Sequence, residues 1–204
     1  MTRIAPSSAG VGARPNVMWT AKMIRPATDG GVGKPASFLR KAFDIGRPTG
    51  CEVLRISALG LYRALAQRHE GFGILHFDAH LDLREAYEGF IDSHASIMFN
   101  ALAIPEVENI VAVGIRDFCQ EEAGVFAKEE LRVRLHRSAE LRREQYEGMT
   151  WQKQCGRIID QLPEKVHVSF DIDALDPALC PHTGTPVPGG LAFEEATYLL
   201  SRLA

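Results

Sequence analysis

No two cysteines in this 204-residue sequence stand close enough to form a C-x-x-C unit, and the four present, Cys51, Cys119, Cys155 and Cys180, are widely scattered. That argues against a thiolate metal site and leaves reduced cytosolic thiols as the simplest account. No apolar run approaches the roughly 18 residues of a membrane span, and Met1 to Gly31 lacks the apolar centre of a secretory signal. A cytoplasmic chain without a membrane partner is therefore expected. Excess positive charge is missing too: the formal net charge is -3, which gives no reason to expect nucleic acid.

What is present is an ordinary globular balance, 46% hydrophobic and 24% charged, enough for one domain with a sizeable core. Two short acidic strings stand out. Asp78-Ala79-His80-Leu81-Asp82 follows the apolar Ile74, Leu75 and Phe77. Ser169-Phe170-Asp171-Ile172-Asp173-Ala174-Leu175-Asp176-Pro177 follows Val166 and Val168. On an extended backbone residues two apart share a face, so Asp78, His80 and, where the extension persists, Asp82 project together, as do Asp171 and Asp173. Carboxylates and an imidazole converging without a thiolate suit a hard or borderline cation such as Mn2+. Aspartates at strand ends also cap loops and helices. Two such strings in one chain, each after a buried-strand pattern, favour metal binding over capping.

The remaining pattern predicts alternating elements: strands near 73–77, 109–115, 133 and 166–170, and helices over 95–102, 120–130, 139–161 and 192–201. Such alternation argues for a parallel sheet covered on both faces. Ligands of open α/β sheets collect at the carboxyl ends of the strands, where both strings lie.

The run His76-Phe77-Asp78-Ala79-His80-Leu81-Asp82, then Ser93-His94-Ala95-Ser96, then Ser169 to Pro177, followed by Thr183-Gly184-Thr185-Pro186-Val187-Pro188-Gly189-Gly190-Leu191, resembles the ureohydrolase family of arginases and agmatinases. The resemblance covers roughly Ala58 to Ala204. It implies a three-layer α/β/α domain with a mainly parallel sheet, a di-manganese centre, and hydrolysis of a guanidinium group to urea and an amine. Carried over residue by residue, it makes Asp78 and Asp171 bridging ligands, places His80 and Asp173 on one manganese, and places Asp82 on the other. His94 becomes the proton-transfer group, since an imidazole titrates close to working pH; a loop histidine beside a Ser93 or Ser96 helix cap is the other reading. Asp117, past the second predicted strand, faces the substrate or caps the helix before Cys119. The Ser-His-Ala-Ser string is closer to agmatinase-like members, so a small guanidino compound such as agmatine is expected rather than arginine. A homo-oligomer is expected as well. His76 and His167 read as packed histidines, and His182 as a loop residue near the mouth.

Departures from the family pattern are equally specific. Members open the domain with G-G-D-H-S or G-G-E-H-S, whose histidine binds the metal opposite His80; here Gly50 to Gly60 contains no histidine. The position opposite His80 is thus expected to bind more weakly, by roughly 10- to 100-fold or more. A later family strand carrying a guanidinium-gripping glutamate has no counterpart before Ala204, so the domain reads as truncated. Residues 1–50 hold eight basic and two acidic side chains, against 15 basic and 24 acidic in the rest. Residues 1–57 are accordingly set apart from the domain at 58–204, as a disordered tail, a transit segment or a misjoined stretch. Gly30-Gly31-Val32-Gly33-Lys34 fails as a phosphate loop, because Thr28 and Pro35 stand where the motif needs Gly and Ser or Thr. The alternative to a working enzyme is an impaired homologue binding metal at one site; a di-metal phosphate-ester hydrolase is disfavoured by the Thr183 to Leu191 loop.

Overall fold

The computed structural model describes the backbone of residues 16–22 and 51–204 and the side chains of residues 58–204. Among these residues a five-stranded sheet runs in the order β1-β5-β2-β3-β4 with every neighbouring pair parallel. The strands are β1 (Asn16–Lys22), β2 (Phe72–Phe77), β3 (Val107–Ile115), β4 (Val133–Arg137) and β5 (Lys165–Asp171). β2 lies between β5 and β3, and all of its residues are buried. A strand covered on both faces gains nothing from polar alternation, which is why Phe72-Gly73-Ile74-Leu75-His76-Phe77 reads as a nearly continuous apolar run.

Side chains alternate between two separate cores. Phe72 and Ile74 of β2 and Ile110 and Ala112 of β3 pack with Leu59 and Tyr62 of helix α1 (Cys51–Ala66) and with α2 (Ile97–Leu102). Phe126 of α3 (Gln120–Lys128) borders that cluster. Leu75, Phe77, Val111, Val113, Val166 and Val168 face the other way. They meet Leu141 of α4 (Ser138–Tyr146), Cys155 and Ile158 of α5 (Trp151–Ile159), and Leu199 and Leu203 of α6 (Phe193–Leu203). Helices on both faces give the three-layer α/β/α arrangement expected from the sequence. Among the described residues no helix is long and apolar enough to cross a membrane.

Local differences from the sequence expectation have physical causes. The single helix expected over 139–161 is two, because Gly148 adopts φ +95 and Thr150 caps α5 by accepting the Lys153 N–H at 3.4 Å. The helical period continues across this break, since α4 and α5 bury residues against the same core. The helix expected from Ala95 begins instead as a 3-10 turn, His94–Ser96, before α2. Within the segment that composition sets apart, residues 16–22 pair with β5 as β1, and α1 begins at Cys51. The rest of residues 1–50, including the Gly30 to Lys34 string, lies outside the described residues.

The loop after the second acidic string is anchored closely to the sheet. Leu175 and Leu191 pair as a short parallel bridge, with Leu191 N–H donating to Ala174 O at 3.0 Å. Gly190 sits at φ +112, and a Cβ there would lie 2.7 Å from the Leu175 carbonyl carbon, so only glycine permits the approach. Arg116, just past β3, donates to Val187 O from Nε (3.1 Å) and Nη2 (2.9 Å), to Gly114 O (3.1 Å) and to Asp173 O (2.7 Å). One guanidinium thereby ties the loop to the ends of two strands.

Candidate metal centre

The first acidic string leaves β2 at Phe77 and crosses the end of β3, where Asp78 N–H donates to Val113 O at 3.2 Å and Ala79 O accepts from Arg116 and Asp117 N–H at 2.8 and 3.0 Å. His80 still pairs with Asp117 as an isolated bridge. The extension does not persist to Asp82. That residue turns left-handed at φ 55, and its carbonyl accepts from the Met98 and Phe99 N–H groups at 3.0 and 3.2 Å, capping α2. This conformation is uncommon outside glycine, though aspartate is among the residues that tolerate it. The carboxylate of Asp82 nevertheless returns to the neighbourhood of Asp78, by a turn rather than by strand alternation.

The second string ends β5. Asp171 Oδ1 accepts from Asp173 N–H at 3.2 Å and so caps the 3-10 turn Ile172–Ala174. Asp173 Oδ1 accepts from Ala79 N–H at 3.1 Å, joining the two strings, while Thr185 Oγ1 donates to Asp173 Oδ2 at 3.4 Å. Asp171 and Asp173 are thus oriented by backbone or hydroxyl donors, and Asp78 Oδ1 accepts from His80 N–H at 2.8 Å.

Two compact donor groups result, each with its ligand atoms within 4.8 Å of one another: Asp78, His80 and Asp173, and His76, Asp78 and Asp82. Asp78 belongs to both. Its Oδ1 lies 3.3 Å from His80 Nδ1, and its Oδ2 lies 3.4 Å from His76 Nε2. His80 Nδ1 is also 3.3 Å from Asp173 Oδ2. Asp171 lies outside both tight groups but lines the same cavity of about 170 Å3, as do His94 and Asp117. His94 stands edge-on to Tyr87, with centroids 5.4 Å apart. The side chain of Asp117 is 65% exposed at the rim, its Oδ2 3.9 Å from His80 Nε2.

The donor set fits a divalent cation. Asp78, Asp82, Asp171 and Asp173 are each no more than 4% exposed, and buried carboxylates demand positive charge close by. Burial alone pushes the His80 imidazole down, but the carboxylates of Asp173 and Asp78 more than offset it and raise the pKa to about 10. Asp173 is held below the usual carboxylate range, because the His80 imidazole and the Ala79 N–H outweigh its burial. Oxygen and imidazole donors with no thiolate suit a hard or borderline ion.

Two contributors were not legible as such in the sequence. Glu122 is buried, accepting from Leu83 N–H at 3.2 Å and Cys119 N–H at 2.9 Å, so it ties the ligand loop to the start of α3. Its spacing from Cys119 is that of a capping box, the one sequence signal that marks it. His76 is buried as a packed histidine should be, yet its ring also enters a donor group.

Known proteins share this arrangement in part. The chain is 36% identical over 133 residues to an N(1)-aminopropylagmatine ureohydrolase of Thermus thermophilus, covering 63% of this chain and 40% of that protein. It is 32% identical over 160 residues to an agmatinase of Bacillus cereus, covering 78% and 51%. The arginase structure from Medicago truncatula superposes with a TM-score of 0.60 at 31% identity, covering 72% of this chain and 44% of that one. The chain spans about two fifths to one half of the length of the curated relatives it matches. Residues 56–204 match the Arginase family, and with the parallel sheet and paired acidic strings in place the chain belongs to that family.

Proposed function

We propose that the unit at 58–204 hydrolyses a small guanidino compound of the agmatine kind to urea and an amine, with two Mn2+ ions held by Asp78, His80, Asp82, Asp171 and Asp173. The observation that carries this reading is the convergence of four buried aspartates and His80 on one cavity at the carboxyl ends of β2 and β5. Two of the relatives are named for agmatine-type substrates, which supports that class over arginine. Such ions, when bound, supply Lewis-acid activation of water towards an electrophilic carbon.

The chain's own residues do the rest. Asp173 is held in place before any ligand arrives, by Ala79 N–H and Thr185 Oγ1. His94 delivers a proton from a ring nitrogen to the departing amine, its plane steadied by the Tyr87 edge contact. Asp117, at the exposed rim, holds the cationic end of the substrate, and the acidic mouth favours capture of a cation. Tyr87 and Phe118 line the same cavity and limit access of bulk water.

Urea release from agmatine, arginine and guanidinobutyrate by Mn2+-loaded protein tests the reading. The expected order puts agmatine well ahead of arginine. Protein that binds manganese but releases urea from none of the three overturns the hydrolase reading and leaves the metal centre standing.

A further inference from the structure

We infer that His76 is a metal ligand: its imidazole, with the carboxylates of Asp78 and Asp82, forms the second cation position of the centre. This rests on the metal-binding reading given above. Histidines two residues before and two residues after Asp78 flank it on one face of the chain, and each meets a different oxygen. His80 Nδ1 faces Oδ1 at 3.3 Å, and His76 Nε2 faces Oδ2 at 3.4 Å. Asp78 is thereby a carboxylate with one oxygen towards each donor group, the arrangement a bridge between two ions requires.

The separations accommodate a shared ion. A charged imidazole hydrogen-bonded to a carboxylate settles near 2.7 to 2.9 Å. Nitrogen and oxygen donors about 2.0 to 2.2 Å from one shared ion stand about 3.0 to 3.4 Å apart at octahedral or tetrahedral angles. The 3.4 Å between His76 and Asp78 matches the second case. Charge points the same way. Asp78 and Asp82 are 1% and 3% exposed, and a dication shared by the group offsets the charge of both carboxylates. Asp82 reaches this group only by adopting φ 55, a conformation that persists where the surroundings over-determine it. A nitrogen donor among two carboxylates favours Mn2+ or Zn2+ over Mg2+ or Ca2+.

The consequence for binding reverses the expectation from sequence. With His76 as ligand the position opposite His80 has its imidazole, and the two ions bind with similar affinity. The rival role is a histidine that only steadies Asp78 by ion pairing. Mn2+ titration of the chelator-stripped full chain, with free ion followed by electron paramagnetic resonance, separates the two. Wild type is expected to take up two ions with a spin-coupled spectrum. His76→Gln is expected to retain one ion and give an uncoupled six-line signal, its second affinity lower by at least about 10- to 100-fold. Two ions in His76→Gln with affinities within about twofold of wild type overturn the inference while leaving the metal centre intact. No ion in wild type overturns both. Should the variant fail to fold, histidine-selective 15N labelling of wild type decides: two imidazole couplings to bound Mn2+ are expected, and one overturns the assignment. His94→Gln, which should keep both couplings, excludes His94 as their source.

Discussion

The two faces of β2 are built from the same six residues and do different work. Leu75 and Phe77 point into an apolar core shared with α4, α5 and α6, and that face stays apolar to its end. Phe72 and Ile74 begin the opposite face as hydrophobes beneath α1 and α2, after which the same line of side chains becomes His76, Asp78 and His80. Neighbouring β5 makes the same change in register, with Ile74 beside His167 and His76 beside Ser169, before ending at Asp171. One face therefore contributes folding free energy and the other spends some of it on buried ionisable groups. The second face can carry this load because the first is packed independently of it.

Substitutions along each face measure how separable these roles are. Phe77→Ala, which removes a fully buried ring stacked at 4.9 Å on Phe170, is expected to cost about 3 to 5 kcal/mol in chemical denaturation while leaving Mn2+ affinity of the folded protein unchanged. A concurrent large loss of metal binding would break the separation. On the other face, burial holds the His167 imidazole down at about 4, below its ordinary 6.5. The unfolded chain binds the extra proton as pH falls from about 6.5 to 4, so the folded state loses about 3 kcal/mol across that window and nothing more below it. His167→Phe, keeping a ring against Tyr62, should flatten that part of the stability profile measured by urea denaturation at successive pH values.

Asp78→Asn sharpens the contrast further. Because Asp78 belongs to both donor groups, Mn2+ affinity should fall by about 100-fold or more, equivalent to about 2.7 kcal/mol. The metal-free thermal midpoint should fall, since Asn keeps an oxygen for the His80 N–H but loses the charge that helps hold the His80 imidazole protonated. An unchanged or higher midpoint would show that the ionised carboxylate does not stabilise the empty fold. The smallest effect is expected at Thr150→Ala, where losing the α5 cap costs about 1 kcal/mol by thermal denaturation and leaves metal binding alone.

Much of this architecture was legible because buried parallel strands announce themselves as apolar runs. Val166 to Phe170 and Asn109 to Ile115 could be placed within two residues, and the acidic strings after them pointed to the sheet's carboxyl edge. What stayed hidden depends on contacts distant in sequence. Glu122 matters because it accepts the Leu83 N–H, a partner 39 residues away. Asp82 takes a left-handed turn that nothing in Leu81-Asp82-Leu83 demands until α2 docks its N–H groups there. His76 followed the strand pattern so well that packing was a sufficient account of it, and only the return of Asp82 gives it neighbours with which to share an ion. The break at Gly148 was masked for the opposite reason, a periodicity that both helices share.

The anchoring of the mouth's wall has a consequence for ionic strength. Arg116 holds the loop from Asp173 to Val187 through main-chain carbonyls rather than through a carboxylate partner. Half-buried hydrogen bonds of that kind are screened little by salt, unlike the Arg143–Glu147 pair, which spans 3.8 Å with both side chains 67% exposed. Added salt should therefore leave the wall standing while it weakens the attraction of Asp117 for a cation. A kcat/KM that falls with salt at constant kcat would report on how substrate arrives, not on how the cavity is held open.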